Sequence, residues 1–291
     1  MKYDIETMQH APDSRDELET RGNASMSYFK IRPQQQRPHS LITGATAGIG
    51  REFAIQLARR GHDLTLVSRD RDRLTQLATE LERSSGISVT VLPADLVDDN
   101  DTARVVGYLG EHPVDVLVNN AGIAHAGRLG VIDPGTQDAM VRLHVLAVHR
   151  LTQAALPTML RRGSGAVIIV SSVASFLTSA GNVNYCATKA YDRIFAEGLA
   201  LETAGKGVYV QALCPGFTHT ELHQRAGLSK RAPAWMWMRT DQIVGASLNA
   251  LTRRGPTVVI PGWPYRLITL VLRFSPRWLR AVEARVYRRD R

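Results

Sequence analysis

Tyr185 and Lys189 stand four residues apart in a stretch whose apolar spacing predicts one long helix over about 184–203. That spacing puts both side chains on one face, about 6 Å apart along the axis, so their charges can couple. A phenol that ordinarily ionises near pH 10 needs a shift of roughly three units, about 4 kcal/mol, to exchange a proton readily at neutral pH. A neighbouring ammonium favours the phenolate and works in that direction. Tyr-x-x-x-Lys is also an ordinary pattern on a solvated helix, so its chemistry depends on what else the chain assembles beside it.

A second group of residues could hold phosphate. His-Ser-Leu-Ile-Thr at 39–43 reads as a short buried strand, followed by Gly44, Ala45, Thr46, Ala47, Gly48, Ile49 and Gly50, then a helical pattern to about Arg60. Glycines at such a junction let the backbone turn sharply and approach a pyrophosphate, while the helix start offers unpaired N–H groups. Turn geometry alone would also account for the glycines. The next strand, 63–68, ends in Ser68 and Arg69, where a fold preferring NAD usually places an acid for the ribose 2′-hydroxyl. A hydroxyl and a guanidinium suit a 2′-phosphate instead, which points to NADP over NAD. Arg69 as a plain solvated charge is the alternative.

At this point the chain resembles the short-chain dehydrogenase/reductase family, in the subclass with glycine spacing T-G-x-x-x-G-x-G, matched by Thr43, Gly44, Gly48 and Gly50. Asp95 after the third predicted strand, Asn119-Asn120-Ala121-Gly122 after the fourth, Ser172 after the fifth, Tyr185 with Lys189, and Pro215-Gly216 after the sixth follow in family order. The resemblance spans roughly 39–262. It implies a single α/β domain, a Rossmann doubly wound parallel sheet of about seven strands with helices on both faces. It also implies an NADP-dependent oxidoreductase exchanging hydride with a carbonyl or alcohol substrate, and a homodimer or homotetramer.

The resemblance also assigns roles. Tyr185 would be the general acid in reduction and the base in oxidation, Lys189 would hold the nicotinamide ribose, and Ser172, thirteen residues before the tyrosine, would hydrogen-bond the reacting oxygen. Thr46 and Ile49 lie within the phosphate turn. Asp95, with Leu96 beside it, would reach the adenine; Asn119, Ala121 and Gly122 would border the adenosine ribose. Pro215, Gly216, Thr218 and Thr220 would contact the nicotinamide amide or the pyrophosphate. Any of these outer contacts could instead be turn or cap residues. One position departs from the pattern: His144 stands where many members carry an asparagine that props open a proton relay behind the lysine. A neutral imidazole could take over as donor and acceptor, or could simply be packed; a broken relay would leave a cofactor-binding sensor or scaffold.

The elements that must carry these groups are legible as alternation. Between 39 and 262, runs rich in Val, Ile and Leu alternate with helical-period stretches, the pattern of a parallel sheet flanked by helices. Residues 1–38 mix six acids with six Lys or Arg and read as a disordered tail without an apolar leader segment, which argues against export. Cys186 and Cys214 are the only cysteines, so neither a disulfide framework nor a structural zinc site is expected, and a cytoplasmic location fits.

The formal charge of +9 is concentrated at one end: 266–291 holds eight arginines against Glu283 and Asp290. No groove-reading motif accompanies it in the main domain, so nucleic acid is not the expected partner. Leu267 to Leu272 is too short an apolar run to span a bilayer. Ser275 and Pro276 read as a cap and first turn of a basic amphipathic helix, suited to an anionic membrane surface or to packing on its own domain or a partner subunit. The segment after Gly216 to about Arg239, with Trp235, Met236, Trp237 and Met238, suits either a cover over a bulky apolar substrate or a subunit contact.

Overall fold

The computed structural model describes residues 37–220 and 233–274. The predicted tail lies almost wholly outside the described residues, as do the helix expected from Ser275 onward and the middle of the expected substrate cover, 221–232.

Seven parallel strands form one sheet in the order β3-β2-β1-β4-β5-β6-β7. They are β1 (His39–Thr43), β2 (Asp63–Ser68), β3 (Val89–Pro93), β4 (Val116–Asn119), β5 (Gly165–Val170), β6 (Val208–Leu213) and β7 (Val258–Val259). Every residue of β4, β5 and β6 is buried. Helices cover both faces, which is why β4 and β5 read as nearly continuous Val, Ile, Leu and Ala, while Tyr209 and Gln211 of β6 are buried with their polar groups hydrogen-bonded.

The period of two along each strand divides the core. Ile42, Leu64, Leu66, Val118 and Ile168 face the layer built by α1 (Gly48–Ala58), α2 (Arg71–Ser85) and α7 (Thr240–Thr252), through Phe53, Leu57, Leu74, Leu77, Ile243 and Leu248. Leu41, Val67, Leu117, Val167 and Ile169 face the layer of α3 (Asp99–Glu111), α5 (Val148–Arg162) and α6 (Val183–Glu202), through Val105, Leu109, Leu151, Met159, Ala196 and Leu199. Burying such side chains stabilises the fold by roughly 2 kcal/mol each.

The chain runs outward from β1 to β3, then returns to lay β4 on the other side of β1, with Leu41 opposite Leu117. At that reversal β1 leads to α1 on one face and β4 leads toward α5 on the other, and the crevice at the carboxyl ends of the strands is the usual ligand position in such sheets. Between α4 (Pro134–Val141) and α5 the chain makes one wider π turn, Arg142–Ala147, which carries His144. A last helix, α8 (Trp263–Phe274), follows β7. No helix among the described residues is long and apolar enough to cross a membrane.

Candidate active site

The turn after β1 is shaped by two glycines with positive φ, Gly44 at 64° and Gly48 at 54°. Gly50 is required for another reason: a Cβ there would sit 2.2 Å from the Gly44 carbonyl oxygen and 2.4 Å from Asn120 Nδ2. Asp70, Asp98 and Asp133 cap α2, α3 and α4. At α1 the N-cap is Ala47, which supplies no side-chain bond, and no acid lies in the first turn. The first N–H groups of α1 thus face the crevice with the positive end of the helix dipole behind them. A pyrophosphate fits this cradle, and a nicotinamide dinucleotide could be held here.

Around the turn, the structure separates holding residues from bracing ones. Thr43 Oγ1 accepts from the backbone N–H groups of Asn120 at 2.9 Å and Ala121 at 3.0 Å, tying β1 to the end of β4. Asn120 Nδ2 donates to the Thr43 carbonyl at 2.9 Å and the Gly44 carbonyl at 3.2 Å. In the sequence Asn120 is only one member of the Asn-Asn-Ala-Gly motif; its brace on the glycine turn depends on a contact between residues 76 apart, which no local pattern reports. Asn119 turns the other way, its Nδ2 donating to Thr152 Oγ1 on α5 at 3.0 Å.

At the adenosine end, Thr46 Oγ1 and Ser68 Oγ lie 3.1 Å apart, so the glycine turn meets the end of β2. Arg69, with 65 % of its side chain exposed, approaches Asp95 at 3.9 Å, a loose pair that leaves the guanidinium at the crevice edge. Asp95 also accepts from the Val97 N–H at 3.1 Å, and the buried Leu96 carbonyl accepts from Thr102 Oγ1. At the other end, a Cβ on Gly48 would lie 3.0 Å from Thr220 Cγ2, so the loop after β6 closes on the phosphate turn. Thr218 is buried, its Oγ1 donating to the Gly216 carbonyl at 2.9 Å, and Val173 N–H donates to the Pro215 carbonyl at 3.0 Å. Ile49 packs against the core.

Ser172, Tyr185 and Lys189 converge. Ser172 follows β5 and N-caps the short turn Val173–Phe176, accepting from Ala174 N–H at 3.1 Å. Its hydroxyl lies near enough to the phenol of Tyr185 to favour the phenolate, and Tyr185 lines a cleft of about 200 Å³ together with His125, Gln137, Asn182 and Asn184. Lys189, one helical turn on, is buried and donates from Nζ to the Val170 carbonyl at 2.9 Å and to Asp192 Oδ2 at 2.9 Å. The expected electrostatics are only half present. Burial pushes the phenol of Tyr185 above its ordinary value, outweighing the downward pull of Lys189 and of the Ser172 hydroxyl, and Asp192 adds to the upward push.

His144 is fully buried and forms an edge-on contact with Tyr185, ring centroids 5.9 Å apart. Its Nε2 accepts from the Ile123 N–H at 3.0 Å, so the neutral ring carries its proton on Nδ1, 3.0 Å from Thr188 Oγ1. Thr188 in turn donates to the Tyr185 carbonyl at 3.0 Å. Burial, and then the charge of Lys189, hold the imidazole well below its usual range, so it does not titrate in the working range. A Cβ on Gly122 would stand 3.1 Å from Nε2. The histidine therefore binds the loop after β4 to α6.

The chain around Met236 is pinned rather than free: Tyr265 Oη donates to the Met236 carbonyl at 2.6 Å. Trp237 packs on Phe217 and His219, while Trp235 is exposed.

A family model described as short chain dehydrogenase matches residues 38–230. The oxidoreductase YmfI of Bacillus subtilis is 34% identical over 222 residues, covering 74% of this chain and 91% of its own. Among solved structures, a short-chain dehydrogenase from Sphingobium yanoikuyae in complex with NADPH superposes with a TM-score of 0.74 at 37% identity, over 87% of this chain and 95% of that one. The bulky-bulky ketone specific alcohol dehydrogenase from Comamonas testosteroni gives a TM-score of 0.71 at 32% identity, over 87% and 94%.

Proposed function

The chain belongs to the short-chain dehydrogenase family of oxidoreductases, and from that premise we propose that it is an NADP-dependent carbonyl reductase acting on bulky, lipophilic ketones or aldehydes. The observation that carries this reading is the convergence of Ser172 and Lys189 on Tyr185, which lines a cleft, in a fold whose first helix has an uncapped start that fits a pyrophosphate. Thr46, Ser68 and Arg69 support the phosphorylated cofactor, because two hydroxyls and an exposed guanidinium suit a 2′-phosphate and no carboxylate of β2 competes for the ribose. The ketone dehydrogenase from Comamonas supports a bulky substrate.

NADPH, when bound, supplies the hydride. Ser172 holds the substrate oxygen by a hydrogen bond, and Tyr185 Oη gives that oxygen its proton as negative charge develops on it. A phenol kept protonated by burial suits this role. Lys189 holds the nicotinamide ribose with donor capacity beyond its two protein partners. A sensor without turnover has no support, since His144 forms a complete hydrogen-bonded brace and both Ser172 and Lys189 act on Tyr185.

Titration with NADPH and NADH, then turnover of bulky ketones by wild type and Tyr185→Phe, tests the reading. Tight NADPH binding with turnover reduced about a thousandfold in the variant is expected. Failure to bind either nucleotide would overturn it.

The reading includes a homodimer or homotetramer in the cytoplasm, with peripheral contact to anionic lipid. Supporting that contact, α8 exposes Trp263, Leu267, Leu270 and Val271 at helical spacing, and the sequence from 266 to 291 carries eight arginines, which a second copy would repel. Co-sedimentation with anionic vesicles, lost on Leu267→Glu with Val271→Glu, is the expected result; equal sedimentation of both proteins would overturn it.

A further inference from the structure

The inner stripe of α6 carries a carboxylate where packing alone calls for an apolar side chain. Cys186, Lys189, Asp192, Ala196 and Leu199 are buried on that stripe. Asp192 is wholly inaccessible, its Oδ2 accepts from Lys189 Nζ at 2.9 Å, and its Oδ1 has no hydrogen-bond partner. A buried carboxylate with an unsatisfied oxygen is costly to hold ionised, and burial raises it to about 6 even though Lys189 acts the other way. Its one strong contact is the ammonium beside the proton donor.

That contact bears on Tyr185. A lone ammonium would draw the phenol strongly toward the phenolate, whereas an anion 2.9 Å from that ammonium offsets part of its pull. In reduction, the carbonyl carbon gains hydride from the nicotinamide while its oxygen takes the Tyr185 proton, leaving a phenolate. Oxidation runs the balance backwards: the phenolate must exist first, to take the alcohol proton as hydride leaves carbon for the oxidised nicotinamide.

We propose that Asp192 is a positioning residue that offsets part of the Lys189 charge and so helps burial keep Tyr185 protonated, weighting the rate at saturating substrate toward carbonyl reduction over alcohol oxidation at neutral pH. This rests on the reading of Tyr185 as proton donor given above. The surrounding ionisable groups leave that part to Asp192. On α6 they are Cys186, whose thiol burial holds protonated, Tyr191 and the Arg193–Glu197 ion pair. The π turn offers His144, held neutral, and Arg142, paired with Asp99. Asp138 on α4 is exposed, β5 and the turn after it have no ionisable side chain, and burial holds Tyr209 and Cys214 protonated.

The test begins without cofactor. Tyrosinate absorbance is followed against pH, each protein being compared with its own Tyr185→Phe derivative to isolate Tyr185. In Asp192→Asn the midpoint is expected about one pH unit lower, a tenfold change in the ionisation constant, and the ratio of kcat for oxidation to kcat for reduction at neutral pH, both at saturating substrate, rises by up to about tenfold. An unchanged midpoint in Asp192→Asn overturns the proposal. Should that variant not fold, Asp192→Val, of similar bulk, reads the same shift. Absence of turnover on every ketone would remove the proposed function but leave the titration readable, and an unshifted titration in an enzyme that turns over would overturn the role of Asp192 alone.

Discussion

Tyr265 lies so close on Gly216 that a Cβ at the glycine would stand 2.0 Å from the phenol ring. The same tyrosine accepts from the Phe217 N–H at 2.8 Å and donates to the Met236 carbonyl at 2.6 Å. One residue of α8 thus holds both ends of the loop that leaves β6 beside the phosphate turn. Tyr265→Phe keeps the ring and removes both bonds, leaving two backbone groups without that partner. An unfolding free energy lower by about 2 kcal/mol is expected in urea titration. No measurable change would mean that the ring alone, and not its hydroxyl, positions the loop.

Arg69 should decide between the two nicotinamide cofactors. Its guanidinium is mostly exposed and only loosely engaged with Asp95 at 3.9 Å, so its removal costs the fold little. A charge-assisted bond to a 2′-phosphate contributes about 1.5–3 kcal/mol. Arg69→Ala is therefore expected to lower kcat/KM for NADPH about ten- to a hundredfold and to leave NADH unaltered. Equal losses with both cofactors would return Arg69 to the solvated surface.

Gly50→Ala tests the phosphate cradle by crowding. With the Gly44 carbonyl oxygen 2.2 Å from the added methyl, α1 has to move away from β1 or the turn has to open. Overpacking of this kind costs about 2 kcal/mol of stability, and the NADPH dissociation constant is expected to rise at least tenfold. Isothermal titration alongside urea unfolding reads both, and wild-type affinity in a stable variant would show that α1 does not carry the pyrophosphate.

Stability should fall in mild acid because of buried histidines. Burial pushes His62 down to about 4, with Asp115 acting against it, and its Nδ1 meets Ser40 Oγ at 2.7 Å. Below about pH 6.5 the unfolded chain binds a proton that the folded ring refuses, so stability drops as pH falls toward 4, by about 2 kcal/mol from His62 at pH 5. His144 acts with the same sign. Asp192 acts oppositely, since its raised carboxyl contributes stability in acid that is lost as pH rises through about 6. Urea unfolding at pH 7 and pH 5 should show His62→Gln losing about 2 kcal/mol less than wild type. Equal losses in the two proteins would refute a neutral buried His62.

Much of this arrangement was open to sequence reasoning because it is written in local patterns. The glycines of the first turn, the Val-, Ile- and Leu-rich strands and the four-residue step from Tyr185 to Lys189 each follow from backbone geometry over a few residues. The helix expected over 184–203 is Val183–Glu202, and the sheet has the seven strands expected. Where reasoning stopped short, the determining contact was distant. His144 reads equally as a relay or as packing until Ile123 and Thr188 are seen on its two nitrogens.

The sequence by itself determined the parallel sheet, the phosphate turn, the presence of a phenol and an ammonium on one helix face, and the family to which the chain belongs. Tertiary structure decided the electrical state of that pair. Desolvation is set by what packs around a group from other elements, and a formal charge acts according to the counter-ion beside it. Hence Tyr185 keeps its proton despite Lys189, and Asp192, which in the sequence is one more acid on a helix, becomes the buried partner of the Lys189 ammonium.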